Sequence, residues 1–404
     1  MTAVATPTAP TAATSWPLAP ADAAMARTRL MSIDALRGLV MVFMLVDHVR
    51  ETWLLHLQLG DPVNALTVAP ALFFTRITST ICAPVFVVLT GLSAWLYGQS
   101  HSKEEVSTFL LKRGLFLMVL EVTLVGSAWS TVGFLPPTLW LQVLWAIGIS
   151  MIALAGLLHL PRAWQFALGA LIVCGHNLLD PIVLTPDSPW FIPWAMIHQR
   201  DVIELGNGYV VKTSYPVLAW IGVILLGYWA GPWFAKGSDP EARIRRLLIL
   251  GASMIGAFVV LRWLNVYGDK PWFVVPGDEL RTLMSFLATT KYPPSLLFLL
   301  PTLGFGALML AVFERYDASR IIPLLSVLGG APMFFYVLHL YTLKALYWTA
   351  YSIWGPTKGT VFGVDSIAWV WAWAAILIVL LYFPTRWFAG LKQRRRDIWW
   401  LKYL

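Results

Sequence analysis

One predicted helix near the start of the chain contains most of the residues that could do chemistry. Residues 32–53 are uninterruptedly apolar from 39 to 46, and the segment is long enough to cross a bilayer at about 1.5 Å per residue. The same segment contains the ionisable side chains Asp34, Arg37, Asp47, His48, Arg50 and Glu51. An Asp or Arg at the bilayer centre costs roughly 2.5–3.5 kcal/mol, so such residues usually face a cavity and have a function.

The spacing predicts which of these side chains share a face. Arg37 and His48 are about three helical turns apart, so they lie on nearly one face and about 16 Å apart along the axis. Asp34 lies near the same stripe, and Glu51 can reach the imidazole from the next turn. A titratable imidazole deep in the helix is therefore aligned with a cation near the helix start.

Asp47 points about 100° away from its neighbour His48, where Arg50 at i+3 is positioned to pair with it. A simpler interpretation is that these charges mark a helix end that reaches the membrane interface. That interpretation explains Asp34 and Arg37 better than it explains His48.

Short motifs along the chain resemble a known family. Residues 33–38 (Ile-Asp-Ala-Leu-Arg-Gly), followed by Asp47-His48, resemble the first-helix signature of bacterial membrane proteins grouped with the catalytic domain of heparan-α-glucosaminide N-acetyltransferase. The arginine-to-histidine spacing is also that of the acyltransferase-3 family of membrane O-acyltransferases. Further similar motifs lie at 82–86 with 91, 215–220 with 227–228, 291–295 and 332–339. The resemblance extends from about residue 33 to the C-terminus.

The resemblance implies a membrane acyltransferase that uses acetyl-CoA as donor and a saccharide as acceptor. The acceptor would be an amino sugar by resemblance to the heparan family and a sugar hydroxyl by resemblance to acyltransferase-3. His48 would be the general base on the acceptor, or a nucleophile that forms an acetyl-histidine intermediate. Asp47 or Glu51 would orient the ring or stabilise its charged form. The sequence leaves these alternatives open.

Cations near the start of the helix would hold the phosphates of coenzyme A. We predict that Arg37, beside Asp34, does so, together with the loop residues Arg113 and Arg246. The pantetheine arm would then carry the thioester over about 16 Å to the depth of His48. Basic residues in loops are, by themselves, ordinary signals of membrane topology.

Further polar residues are candidates for binding the acceptor: Arg50, Arg76, Lys291, Tyr292 and His339. Lys291, Tyr292 and His339 are chosen because they lie in motifs of the resembling family. Arg76 is chosen as a buried charge, although pairing with the buried Glu121 would explain it equally well.

The composition decides the kind of fold that must position these residues. With 58% hydrophobic and 12% charged residues, the chain is predicted to be an all-α polytopic membrane protein. Apolar windows predict about ten transmembrane helices, at roughly 35–57, 72–98, 113–131, 136–158, 163–180, 214–235, 246–265, 293–313, 323–352 and 365–389.

The basic residues predict the topology of these spans. About two-thirds of them collect on one side, so both termini are predicted to be cytoplasmic, in a bacterial inner membrane. The predicted organisation is a disordered tail at 1–30, a transmembrane acyltransferase domain at 31–390 and a basic, aromatic tail at 391–404. The net charge of +8 follows this membrane pattern, so no nucleic-acid partner is predicted.

Other site types have no support in the sequence. The two cysteines have no disulfide or metal-ligand spacing, and no pair of histidines has zinc-ligand spacing with a carboxylate, so no metal is predicted. Two other function classes stay open, a transporter of a small polar or anionic solute and a non-catalytic membrane scaffold. Whether the chain forms homo-oligomers also stays open.

Overall fold

The computed structural model describes residues 31–57, 63–130, 136–395, 397–398 and 400–401. The predicted N-terminal tail, 1–30, lies outside the described residues, as does part of the predicted C-terminal tail. The described chain is mostly helical. Its α-helices are α1 (Met31–Trp53), α2 (Pro70–Thr78), α3 (Cys82–Tyr97), α4 (Lys103–Leu120), α5 (Gly126–Trp129), α6 (Val143–Leu157), α7 (Arg162–Gly175), α8 (Phe191–Ile197), α9 (Leu218–Ala230), α10 (Pro240–Leu264), α11 (Glu279–Leu287), α12 (Leu296–Arg315), α13 (Ile321–Gly330), α14 (Pro332–Trp354) and α15 (Ile367–Arg394).

Helix α1 is the central element of the helical bundle. It packs against α3 and α12 to α15, so one helix carries its polar side chains toward several neighbours at once. Its closest partner is α13, where two glycines bring the backbones together. A Cβ at Gly38 would collide with the backbone of Leu325, and a Cβ at Gly329 would collide with the carbonyl of Asp34. Small residues of this kind let membrane helices approach closely.

Four helical segments of the described chain are long and apolar enough to cross a membrane: Pro70–Tyr97, Pro240–Leu264, Leu296–Arg315 and Ile367–Arg394. Helices α13 and α14 together form a fifth if the break between them, bent by 81°, belongs to one span. Pro332, which has no N–H to donate, begins α14 directly after this break. The chain is therefore a helical membrane protein, and the total of about ten spans stays a prediction.

Helix α1 is missing from those long apolar segments because of its charges. Asp34, Arg37, Asp47, Arg50 and Glu51 interrupt every long window of a helix that is otherwise apolar. The charged residues that are candidates for the site thus also lower the mean hydropathy of α1.

A small sheet corrects the all-α expectation. The strands β1 (Thr138–Trp140), β2 (Val202–Gly206) and β3 (Tyr209–Lys212) form it in the order β1-β3-β2, with β1 parallel and β2 antiparallel to β3. The β2–β3 turn contains Asn207 and Gly208, both at positive φ, as tight hairpins require. The long connections predicted at 181–213 and 266–292 therefore have structure of their own, since the second contains α11.

Candidate functional site

Helices α1 and α14 bring two histidines into direct contact. His48 Nδ1 lies 2.7 Å from His339 Nε2, and the two rings stack with their centroids 5.0 Å apart. His339 is completely buried, and its Nδ1 lies 2.8 Å from the carbonyl oxygen of Phe335, one turn earlier on α14. The candidate site is therefore built from residues separated by 291 positions in the sequence.

The carbonyl of Phe335 fixes the protonation pattern of this pair. A carbonyl oxygen only accepts, so His339 Nδ1 must carry a proton and donate it. When His339 is neutral, its Nε2 is an acceptor, and His48 Nδ1 must donate to it. The remaining nitrogen of a neutral His48, Nε2, then has a free lone pair. This is the form that a general base or a nucleophile needs.

Two aromatic side chains surround His48. The ring of Trp129 contacts it edge-on with centroids 5.1 Å apart, and the ring of Tyr336 does so at 6.0 Å. His48 is only partly buried, unlike His339. His48 therefore keeps some exposed surface, whereas its partner histidine is shielded.

The neighbouring residue, Asp47, is the centre of a buried ion network. Its carboxylate accepts from Arg50 Nε at 3.0 Å, which confirms the predicted i+3 pair. It also pairs with Arg76 of α2, and all three side chains are almost completely buried. Arg50 reaches Glu51 as well, at 3.2 Å. A buried carboxylate between two guanidinium groups is held rigidly, because neither cation has water as an alternative partner.

Arg76 connects this network to the predicted acceptor residues. Its guanidinium lies 3.5 Å from the Tyr292 hydroxyl, which in turn lies 3.4 Å from the Tyr215 hydroxyl. Lys291 Nζ lies over the Tyr292 ring at 5.2 Å from its centroid, and Arg200 lies over the same ring at 5.3 Å. The structure thus groups Arg76, Lys291 and Tyr292 beside Asp47. That they bind an acceptor stays a prediction.

Polar contacts hold the turn that carries Lys291 and Tyr292. His176 Nε2 donates to the carbonyl oxygen of Pro294 at 2.8 Å, and Asn177 Oδ1 accepts from the Leu296 N–H at 2.8 Å. Asp269 accepts from the Thr290 N–H at 2.8 Å. These anchors fix a turn that has no regular secondary structure.

Arg37 lies in a second polar group nearer the start of α1. It donates to Asp34 at 2.9 Å, to the carbonyl oxygen of Leu89 at 3.3 Å and to the Ser93 hydroxyl on α3. Its side chain keeps 19% of its surface exposed, against 6% for Asp34. Arg37 is therefore both anchored and accessible.

The other two predicted phosphate-binding residues lie on different helices. Arg113 is on α4, with its guanidinium over the Phe109 ring at 5.8 Å, and Arg246 is exposed on α10. In the same basic turn, Arg243 is buried and pairs with Glu314 at 2.6 Å, so it has a structural role.

Glu121 does not pair with Arg76, contrary to the alternative that the sequence left open. Its carboxylate accepts from the backbone N–H groups of Leu144 at 2.7 Å and Trp145 at 3.3 Å, at the N-terminus of α6. Unpaired N–H groups and the helix dipole stabilise a carboxylate there. Lys344 also finds a backbone partner, the carbonyl oxygen of Ser127 at 2.6 Å.

The comparison with known families bears on what this geometry does. A family model described as heparan-alpha-glucosaminide N-acetyltransferase, catalytic, matches residues 29–265. The chain belongs to this family. It is therefore a member of a family of membrane acetyltransferases, in agreement with its long apolar helices. No curated protein matches the chain.

The family match and the site overlap only in part. The matched residues include α1, Arg76 and Tyr215, whereas Lys291, Tyr292 and His339 lie beyond residue 265. Tyr292 contacts Arg76, Lys291 contacts Tyr292 and His339 contacts His48, so all three lie in the candidate site. The geometry therefore adds the last third of the chain to the site.

Sequence reasoning missed several residues that border this site: Trp129, Arg200, Tyr215, Tyr336 and Ser93. Tyr215 and Tyr336 lie inside the quoted motifs, which was the available signal. Nothing in the spacing of the others marks them, because their contacts are made with segments that are distant in the sequence. Among the described residues, no group of His, Cys, Asp and Glu is arranged to hold a metal ion.

We expect His339 to act on catalysis through His48. Replacing His339 by alanine removes the acceptor that fixes the His48 ring and its tautomer, so the turnover rate should fall about 10- to 100-fold, as when the orienting partner of a functional histidine is lost. Binding of the acyl donor should change little. The measurement is a steady-state assay over a pH series. An unchanged rate and pH profile would show that His48 needs no partner.

Proposed function

We propose that the chain transfers an acetyl group from acetyl-CoA to a saccharide acceptor, with His48 as the general base. The observation that supports this most strongly is the pair of hydrogen bonds that leaves Nε2 of His48 unprotonated. Membership in an acetyltransferase family supports acetyl transfer as the reaction in which that base would act.

The proposed reaction needs only groups that lie at this site. An acceptor hydroxyl or amine attacks the carbonyl carbon of the thioester while His48 Nε2 takes its proton. The tetrahedral intermediate then expels the thiolate of coenzyme A, and the imidazolium returns the proton to the sulfur. The acetyl group ends on the acceptor, and free coenzyme A is released. A nucleophilic His48 would use the same lone pair in two steps.

In this proposal the donor lies along α1. Arg37 binds the anionic end of coenzyme A near the cytoplasmic side, and the pantetheine arm reaches about 16 Å toward His48. Arg37 suits this role because its guanidinium is held by Asp34 and Ser93 but stays partly exposed. The direction follows from the predicted topology in a bacterial inner membrane.

The acceptor would lie on the other side of His48, at the periplasmic end. Tyr292 and Lys291 offer an aromatic ring, a hydroxyl and an ammonium group beside Arg76. Rings with adjacent hydrogen-bond donors suit a saccharide, which has apolar faces and polar edges. The acceptor atom is then an amino-sugar nitrogen or a sugar hydroxyl. In this arrangement Asp47 holds Arg76 in place.

The first test is binding of acetyl-CoA to the detergent-purified protein, measured by heat release. We expect saturable binding at micromolar to sub-millimolar concentrations that weakens about tenfold or more in Arg37→Ala, the loss of roughly one charge-assisted contact. Arg320→Ala, which removes an exposed arginine elsewhere, should bind like the wild type.

A well-folded sample that does not bind acetyl-CoA would contradict the proposal and favour the transporter reading. If the wild type and Arg37→Ala bind acetyl-CoA equally well, Arg37 does not contact the donor. Acetyl-CoA would still be the donor in that case. Acetyl transfer to a panel of amino sugars and neutral sugars then identifies the acceptor atom.

A further inference from the structure

The indole of Trp129 has a hydrogen-bond donor with no partner in the described part of the chain. Its Nε1 is buried and makes no well-formed hydrogen bond there, although the Tyr336 hydroxyl is close enough to interact with it. Leaving a buried donor unsatisfied costs about 1–3 kcal/mol. An unsatisfied buried donor therefore needs an explanation, and one explanation is that a bound ligand accepts its hydrogen bond.

The same indole contacts the proposed base. Its ring meets the ring of His48 at 5.1 Å between centroids and almost at a right angle. A thioester attacked by an acceptor that is hydrogen-bonded to His48 Nε2 can therefore place its carbonyl oxygen beside this indole. The unpaired N–H of Trp129 and the lone pair on His48 Nε2 thus lie in the same small region.

The segment that ends in Trp129 is held rigidly. It begins with a π-helical turn, Glu121–Val125, a form that is rare and frequent at functional sites. Glu121 anchors this turn to the N-terminus of α6. From α14, Lys344 donates to the carbonyl oxygen of Ser127 at 2.6 Å, and the Tyr341 hydroxyl donates to that of Leu124 at 3.0 Å. A donor on such a segment is fixed before any ligand arrives.

We propose that the Trp129 indole N–H donates a hydrogen bond to the carbonyl oxygen of the bound thioester. This inference rests on the proposed function. When the acceptor oxygen or nitrogen bonds to the carbonyl carbon, the carbonyl electron pair moves onto oxygen, and the indole stabilises the resulting oxyanion. The electron pair on this oxygen re-forms the C=O double bond when the carbon–sulfur bond breaks, and His48 delivers the proton to the sulfur. A fixed donor aimed at developing charge is effective because it needs no reorganisation.

The test is Trp129→Phe, which keeps a large aromatic ring beside His48 and removes the N–H. We expect the turnover rate to fall about 10²-fold, the usual effect of losing one such donor, with the KM for acetyl-CoA changed less than threefold. The pH dependence of turnover should keep its shape, because no titrating group is lost.

The matched control is Trp53→Phe. Trp53 Nε1 is also buried and unpaired in the described residues, but its ring packs on Phe362 and Trp373. Trp53→Phe should keep wild-type turnover. The thermal midpoints of both variants are measured beside the wild type, so that a folding defect is separated from a catalytic one.

The outcomes separate this inference from the proposed function. An active wild type with Trp129→Phe within threefold of Trp53→Phe would overturn the role of the indole and leave the acetyltransferase function standing. A wild type that binds acetyl-CoA but acetylates no acceptor and does not hydrolyse the thioester would overturn both. A 10²-fold loss confined to turnover in Trp129→Phe supports the proposal.

Discussion

Replacing His48 by alanine will lower the rate of acetyl transfer about 10⁴-fold, the upper end of what general base catalysis contributes. The effect should be this large because, in the proposed mechanism, a single nitrogen takes the proton: Nε2 of His48, the one left unprotonated when Nδ1 donates to a neutral His339. Binding of acetyl-CoA should be largely unchanged, since Arg37 lies about three turns away on α1. Turnover and binding are measured on the same detergent-purified preparation.

The control for this prediction is His159→Ala. His159 is exposed beyond the end of α6, so its removal should leave both turnover and binding as they are. Full activity in His48→Ala would exclude catalysis by this residue and would favour the scaffold or transporter reading. Equal loss of donor binding in His48→Ala and Arg37→Ala would contradict the division of roles along α1.

Replacing Asp47 by leucine will destabilise the fold by about 3–5 kcal/mol, because it leaves Arg76 and Arg50 as buried cations without their shared carboxylate. The thermal midpoint in detergent should fall by several degrees, and expression should fall with it. Adding Arg76→Leu to this variant should restore part of the loss, because the double substitution removes the buried Arg76 charge, while Arg50 still pairs with Glu51.

The control for the ion network is an exposed pair of the same chemistry. Arg315 contacts Glu241 at 2.7 Å, but both side chains are more than half exposed, at 59% and 72%. Arg315→Ala should therefore cost no more than about 1 kcal/mol. A similar fall in midpoint for Asp47→Leu and Arg315→Ala would show that the buried network carries no special stability.

Local spacing could predict the parts of the site that lie on one helix. The pair formed by Asp47 and Arg50 follows directly from the i+3 geometry of a helix, and the same geometry places Asp34 beside Arg37. His339 was selected through its motif, but its contact with His48 was not predicted. Spacing within one helix says nothing about which distant helix will pack against it.

The partner of each buried charge was harder to predict for the same reason. Arg76 and Glu121 each needed a partner, and pairing them together was a reasonable expectation. The structure gives Arg76 a carboxylate from α1 and gives Glu121 a helix N-terminus. Glu121 is stabilised by backbone N–H groups, which are present at the start of every helix. A pattern of side chains in the sequence therefore cannot predict this contact.

The fold shows a similar division. Uniform apolar runs predicted the long helices, such as α10, α12 and α15, closely. The strands in the connection at 181–213 were not predicted, because they are short and only partly buried. The distinction arises because hydrophobicity reports burial in lipid, whereas a small sheet depends on pairing between distant segments.

The ion pairs within α1 have a consequence for how the chain enters the bilayer during synthesis. Helix α1 is made before Arg76 and long before α14, so its acids cannot yet have their final partners from other helices. Asp34 with Arg37 and Asp47 with Arg50 already neutralise each other inside the same helix. As it leaves the ribosome, helix α1 therefore carries its own counterions, which lowers the cost of its insertion until the later helices fold around it.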